Sequence, residues 1–345
     1  MLNIYRLSDC EQWDSIVKSF AEYDVYYLSG YVKAFQIHGD GEPLLFYYCD
    51  ENIKAINVVM KRDIAQDIHL VDCIKPGTHY DFATPYGYGG WLIEGSGDCQ
   101  QLFDTYEKWC MEHNVVSEFV RFHPVLKTQE YSLKSYDVIP LGETVTVDLS
   151  SEENIWNNIT SKNRNMIRKA QKNNLTVLHG KSKELFETFR EIYNLTMDKD
   201  EADAYYYFSE TFYESILNDL EENAEIFYVV YEGKVIAAAI MLMANGRINY
   251  HLSGSLIEYK HLAATNLLLY ETAIWGCRNG YKTFYLGGGV GSGEDGLFKF
   301  KRSFYRGDLK RFYIGKKIFM QDKYNSLLEI RGSVENKNFF PQYRA

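Results

Sequence analysis

No stretch of this chain reaches eighteen uninterrupted apolar residues, so no membrane-spanning helix is expected. The opening MLNIYRLSDCEQW has neither a basic leader nor an apolar run behind it. No export signal is read there, and a cytoplasmic protein is expected. The six cysteines are scattered, with no C-x-x-C pair, and several lie in apolar strand or helix patterns. That argues for buried free thiols in a reducing compartment and against a disulfide framework. The sequence also lacks G-x-S-x-G, H-E-x-x-H, the phosphate-loop lysine motif and any zinc spacing of Cys and His. Its histidines fall in no ligand pattern, so no metal is expected. No nucleophile–base pair is visible, which disfavours covalent catalysis.

What the chain does have is a repetition. Residues 43–61, PLLFYYCDENIKAINVVMK, and 224–243, AEIFYVVYEGKVIAAAIMLM, each read as two apolar runs about a short polar turn. Both are expected to be largely buried β-hairpins. Each is followed by an amphipathic helix and another strand, near 98–112 and 116–121, then near 260–279 and 282–286. A unit recurring after about 180 residues suggests a duplicated domain, and 345 residues exceed the usual size of one core. The fold class expected is mixed α/β, with residues 1–143 as a first domain completed by 315–345, and 144–314 as a second.

Charge is uneven. The net charge is −10, yet residues 162–172, KNRNMIRKAQK, carry five Lys or Arg and no acid. Residues 299–317 carry eight against the single Asp308. An acidic protein with two basic stretches is poorly suited to coating nucleic acid. It can accept one anionic ligand, or one RNA end, at a defined place; the alternative is a pair of solvated faces. The abundance of tyrosine fits either ordinary packing or an aromatic cleft for a large ligand.

Along the chain, strand is expected at 3–7, helix near 9–20 and 29–37, and then the first hairpin. The stretch DFATPYGYGG has Pro85, Gly87, Gly89 and Gly90 interleaved with Tyr86 and Tyr88. Such a loop permits close backbone approach to a ligand, or makes a tight connection between strands. A strand at 144–149 and a capping box from Ser150 to Glu153 open the second half. Helices follow over the basic segment, 183–197 and 206–220. A three-stranded meander over 225–252 turns at Glu232-Gly233 and Asn245-Gly246. A long helix ends at Asn279-Gly280, a strand at 283–286 leads into GGGVGSGEDG, and 308–330 reads as strand and helix. The glycine run opens no dinucleotide-binding unit.

On PYGYGG at 85–90, KNRNMIRKAQKN at 162–173, YHLSGS at 250–255, ATNLLLYETAIWGCRNGYKTFYLGGG at 264–289 and DGLFKFKRSF at 295–304, the whole chain resembles the FemABX family. Members are built from two domains of the GNAT acyltransferase type. The resemblance implies two such domains here, each a twisted, mostly antiparallel sheet flanked by helices. It also implies transfer of an amino acid from aminoacyl-tRNA to an amine of a peptidoglycan precursor. That reaction is aminolysis of an ester, and it needs alignment and oxyanion stabilisation rather than a nucleophile. Lys301, in F-K-x-x-F, matches the family's lysine near the reacting centre. Lys33 matches a residue on the precursor diphosphate. Tyr86, Tyr88 and Tyr206 are implied as walls of the acceptor cleft, and Arg164 and Arg168 are candidates on the basic helix for anionic substrate.

Two departures bear on substrates. The segment MDKDEADAYYY is acidic where the family has an arginine, which leaves a lipid-linked or other acceptor open beside a nucleotide-linked one. EYKHLAATN lacks the glycines with which coenzyme A-using relatives grip pyrophosphate. That favours aminoacyl-tRNA as donor and implies no cofactor. The alternatives are an N-acyltransferase acting on an amino sugar in surface-polysaccharide synthesis, with a thioester donor, and a non-catalytic binding module.

Overall fold

The computed structural model describes residues 1–333, 336 and 338–345. These form two compact units, residues 1–141 with 312–345, and residues 142–311.

The first unit opens with β1 (Leu2–Tyr5), α1 (Cys10–Lys18) and α2 (Ser29–His38), followed by β2 (Glu42–Cys49) and β3 (Ile53–Asp63). Then come β4 (Tyr80–Ala83), β5 (Leu92–Gly95), α3 (Gln100–Glu112), β6 (Val115–Arg121) and the short α4 (Gln129–Ser132). Chain passes to the second unit along β7 (Asp137–Asp148). That unit continues with α5 (Glu152–Asn158), α6 (Ser161–Lys172), β8 (Thr176–Gly180), α7 (Lys183–Lys199) and α8 (Glu210–Asp219). The meander β9 (Ala224–Tyr231), β10 (Lys234–Ala244) and β11 (Arg247–Ser255) leads to α9 (Ala264–Arg278), β12 (Thr283–Gly287) and α10 (Gly296–Arg302). Finally β13 (Lys310–Ile318) returns the chain to the first unit, where α11 (Gln321–Arg331) lies.

Both hairpins form in antiparallel register, β2 with β3 and β9 with β10. The turns between β9 and β10 and between β10 and β11 place Glu232-Gly233 and Asn245-Gly246 at positive φ. Two consecutive positive φ angles match the right-handed twist of the flanking strands. In the first unit the sheet runs β1-β2-β3-β4-β6-β13, with β5 also on β3. In the second it runs β7-β12-β11-β10-β9-β8. Each contains one parallel pair, β4 with β6 and β11 with β12, and each pair is joined through a crossover helix, α3 or α9. A parallel connection requires such a crossover. Strand β10, KVIAAAIMLMA, is apolar almost throughout because α7 and α9 both pack on it. The fold is therefore mixed α/β with two GNAT-like units.

Several boundaries differ from the sequence reading. Strand β7 begins at Asp137 rather than 144. Ser151, not Ser150, caps α5 by accepting the Asn154 amide at 3.0 Å. The adjacent serines offer the same chemistry, and only the backbone geometry selects one. Residues 257–262 are a 3-10 turn, so the long helix starts at Ala264. Ser209 caps α8, moving its start to Glu210. Strand β8 was not foreseen; TVLHG is short and mostly exposed at a sheet edge. Of the cysteines only Cys110 is buried, and Cys10, Cys49 and Cys73 are exposed free thiols.

A buried ionic cluster ties the last residues into the first unit. Asp81 has no exposed surface; it accepts from Arg62 Nε at 2.7 Å, Arg344 Nε at 2.6 Å and the Tyr343 hydroxyl at 2.9 Å. Burial alone would raise the Asp81 carboxyl, but the Arg62 and Arg344 guanidiniums outweigh it and hold it below the ordinary value. Removing that charge takes the carboxylate from Arg62 and leaves Arg344 with Asp67 alone of its two carboxylates. Asp81→Ala is expected to cost about 3–5 kcal/mol in urea unfolding at neutral pH. A folded-state value held low gives stability that is present above the unfolded carboxylate range and lost as pH falls through the folded value. The wild type is thus expected to lose an acid-dependent increment that Asp81→Ala lacks.

Candidate active site

The two parallel pairs behave differently past their paired residues. In the first unit the chain after β4 continues along β6: Thr84 N donates to Phe119 O at 3.0 Å, Gly89 N to Arg121 O at 2.8 Å and His123 N to Gly89 O at 3.1 Å. This makes PYGYGG the tight connection of the two readings. Its carbonyls are taken by side chains, Tyr86 O by the Tyr31 hydroxyl, Gly87 O by Arg121 Nε, Gly89 O by Thr128 and Gly90 O by Tyr27. The glycines are needed for room, since a side chain at Gly87 would collide with the Tyr26 ring and one at Gly90 with Phe122.

In the second unit the pair opens. β11 and β12 pair only over Arg247–Asn249 with Thr283–Tyr285. Beyond that, β11 runs on to Ser255, with a bulge at His251 in its register with β10. Burial pushes the His251 imidazole down to about 3, so it is neutral. Ser255 N is met instead by Thr196 Oγ1 of α7 at 3.0 Å.

At the C-terminal end of β12, the place where ligands bind in open α/β sheets, the glycine run folds back. Gly287 has φ +80°, and a Cβ there would lie 3.3 Å from Lys301 Nζ and 3.9 Å from the Tyr285 ring. Lys301, on α10, donates to Gly288 O at 2.8 Å. Burial lowers the Lys301 ammonium to about 8, with the Asp295 carboxylate opposing. A cation that is strong at neutral pH and titrates just above it suits electrostatic stabilisation of an oxyanion.

Two further elements meet α10. Thr160 N, at the start of α6, donates to Ser303 O at 2.9 Å, and Arg306 donates to Asn157 O. On α6, Asn163 Oδ1 accepts from Asn266 Nδ2 of the first turn of α9 at 2.8 Å. That terminus begins from Ala263, whose φ of +61° is left-handed, and no side chain caps it. The turn is thus made without a glycine, at a cost of about 1–2 kcal/mol. An uncapped helix start can take a phosphate or pyrophosphate.

The sequence-predicted residues separate into groups. Arg164 and Arg168 come together over the Trp156 ring, at 5.9 and 5.1 Å from its centroid. Tyr86 stacks on Phe35, while Tyr88 packs edge-on to Tyr26 and Phe312; both tyrosines keep some exposure. Lys33 is exposed on α2, two positions from Tyr31 and Phe35, hence about 200° around the helix from the face that meets the loop. Tyr206 is exposed in a 3-10 turn beside Tyr205. Sequence reasoning missed Asp295 and Trp156. An aspartate directly before GLFKFKR is a helix-cap signal that could have found the first.

Residues 161–302 match the model of the acetyltransferase (GNAT) domain, so the second unit carries an acyltransferase domain of that class. The chain is similar in structure to FemX, at 13% identity and a TM-score of 0.68, covering 94% of this chain and 99% of that one. It is also similar to L-PGS from Bacillus licheniformis, at 16% identity, TM-score 0.59, covering 93% and 96%. A third likeness is to the C-terminal domain of a putative lysylphosphatidylglycerol synthetase from Agrobacterium fabrum, at 14%, TM-score 0.57, covering 95% and 98%. At these identities the likeness is one of fold. No curated protein matches the chain significantly. The architecture, two GNAT-like units in tandem, fits the fold of FemX. No helix among the described residues is long and apolar enough to cross a membrane.

Gly287→Ala is expected to fold but to lose about tenfold in transfer rate, because the new methyl displaces the Lys301 amine by a fraction of an ångström. Melting temperature and single-turnover rate on the same preparation check it.

Proposed function

We propose that this protein is an aminoacyltransferase that moves an amino acid from aminoacyl-tRNA to an amine of a peptidoglycan precursor, nucleotide- or lipid-linked. The observation that carries the reading is the Lys301 ammonium, held by Gly288 O where β11 and β12 have parted. In the reaction the acceptor amine attacks the ester carbonyl. The C–N bond forms, the ribose C–O bond breaks, and a proton from the amine ends on the departing hydroxyl. Lys301 supplies positive charge to the oxyanion between those events. The basic face of α6, with Arg164 and Arg168 against Trp156, offers the donor's phosphates a place in the same unit. Tyr86, Tyr88, Tyr206 and Lys33 remain acceptor-side proposals. The names FemX and lysylphosphatidylglycerol synthetase agree with an aminoacyl group as cargo, and the latter also with a lipid acceptor.

A second reading is favoured by the left-handed Ala263 and the uncapped start of α9. With that turn formed, coenzyme A could be held by the α9 amides, and its thioester would supply the acyl group to an amino sugar.

Direct binding of charged tRNA and of acetyl-coenzyme A to the purified protein separates the two. The first reading expects preference for charged tRNA, with affinity falling steeply with salt and the salt slope reduced in Arg164→Ala/Arg168→Ala. Preference for coenzyme A moves the second reading ahead.

Transfer by Lys301→Ala is expected to fall about 100-fold, as for a lost oxyanion-hole donor. Wild-type activity should show a descending limb near pH 8, where Lys301 loses its proton, and Lys301→Arg should lack that limb. A wild-type rate in a folded Lys301→Ala removes this residue from the chemistry.

A further inference from the structure

We propose that Asp295 is the positioning residue for Lys301, fixing the place of its amine. The inference rests on the reading that Lys301 takes part in transfer.

One carboxylate holds two parts of the local chain. Asp295 Oδ2 accepts from Val290 N at 3.1 Å, inside the glycine loop, and Oδ1 accepts from Phe298 N at 2.8 Å, in the first turn of α10. Phe298 stands three residues before Lys301 and is buried, so α10 is anchored by its core side and by its cap together. Lys301 in turn donates back to Gly288 O. The arch is a closed circuit from strand end to loop, carboxylate, helix, lysine and back to the strand end.

Its packing leaves little freedom. A Cβ on Gly289 would strike Asp295 Oδ1 and Gly293 O, and one on Gly288 would come within 3.0 Å of Glu143 O on β7. The Gly288 carbonyl that receives Lys301 is thus set by residues on both sides, and Asp295, a charged one, also reaches the helix. Along the glycines that carry the acceptor of the amine lie the Tyr285 ring, 3.9 Å from a Cβ at Gly287, the Glu143 backbone carbonyl beside Gly288, and the Asp295 carboxylate beside Gly289. The Glu143 carboxylate itself pairs with Arg311. Asp295 is the group whose field favours the ammonium against burial. Backbone amides hold the Asp295 carboxyl below its ordinary value, Phe298 the largest influence with Val290 and Leu297 behind it, so it is ionised wherever Lys301 titrates.

The test titrates Lys301 by nuclear magnetic resonance in the full chain with labelled lysine, its signal assigned by loss in Lys301→Arg. Asp295→Asn keeps an oxygen for Phe298 N but removes the charge; Asp295→Ala removes both. Expected are a Lys301 titration below that of the wild type in Asp295→Asn and a descending activity limb moved down by the same amount. Transfer at pH 7 should fall about tenfold in kcat with KM little changed, and further in Asp295→Ala. An unchanged Lys301 titration and pH profile in folded Asp295→Asn would overturn the proposal and leave Asp295 a helix cap. Failure of the underlying reading looks different: Lys301→Ala would then transfer normally while the Asp295 variants still shift the titration.

Discussion

Two parallel strands that stop pairing leave facing amides and carbonyls, and in a folded protein those groups must find other partners. That constraint organises both units. In the first, the chain supplies its own answer, and Thr84 and Gly89 extend the ladder along β6. In the second, β11 leaves β12 after Asn249, and the groups at the strand end are met by side chains. Lys301 takes Gly288 O and Thr196 takes Ser255 N. The same supersecondary plan therefore yields a sealed notch in one unit and an open one in the other. The open one has Lys301, an amine with a lowered proton affinity, at the strand end. The difference lies in the connection between strand and crossover helix. Residues 84–99 carry the PYGYGG loop and β5, whereas residues 256–263 are little more than one turn.

Where the notch is open, electrostatics can act. A lysine half withdrawn from water has a weaker hold on its proton, and Asp295 restores part of that hold. The acidic character of the whole chain does not oppose this, since screening in physiological salt confines an exposed charge to about 8 Å. What an anionic donor meets is the local surface. On α6 that surface is Lys162, Arg164, Arg168, Lys169 and Lys172, with the Trp156 indole lying against both arginines. Arginine stacked on indole is pre-organised, so less freedom is lost when a phosphate arrives.

Local chemistry was legible in the sequence and long-range chemistry was not. Glu232-Gly233 and Asn245-Gly246 dictate their turns within two residues, and the turns formed as read. The helix stop at Asn279-Gly280 is of the same kind, with Gly280 at φ +79°. Ser150 and Ser151 are chemically equivalent, so the cap could be located only to within a residue. Strand β8 is held by its neighbour β9 and not by its own pattern, hence it went unseen. The reading of PYGYGG stayed open because glycine signals crowding without naming the neighbour. Tyr26 and Phe122, which do the crowding, are distant in sequence. Lys301 was visible through resemblance, whereas the reason for its chemical state was not, because that reason is burial plus a carboxylate six residues away.

Ala263 carries the same lesson to the donor. Glycine is favoured at a left-handed position because it lacks the Cβ that collides with the following carbonyl, yet the penalty for alanine is small beside what packing of α9 contributes. Leu267, Leu268 and Leu269 are all buried, and burying side chains of that size is worth about 1.5–3 kcal/mol each. A helix so anchored holds its preceding turn in the left-handed form whether or not glycine is present. The missing glycine is therefore weak evidence about the donor, and the backbone amides at the helix start are indifferent to the side chain that precedes them. Discrimination between a pyrophosphate and a nucleic-acid phosphate must come from what stands beside that terminus. Here it is Asn163, through Asn266, and behind it the basic face of α6. A single pyrophosphate needs only the terminus, whereas a strand of RNA can use the basic face as well, so under the proposed aminoacyl-tRNA reading it is this face, and not the terminus, that separates the two ligands.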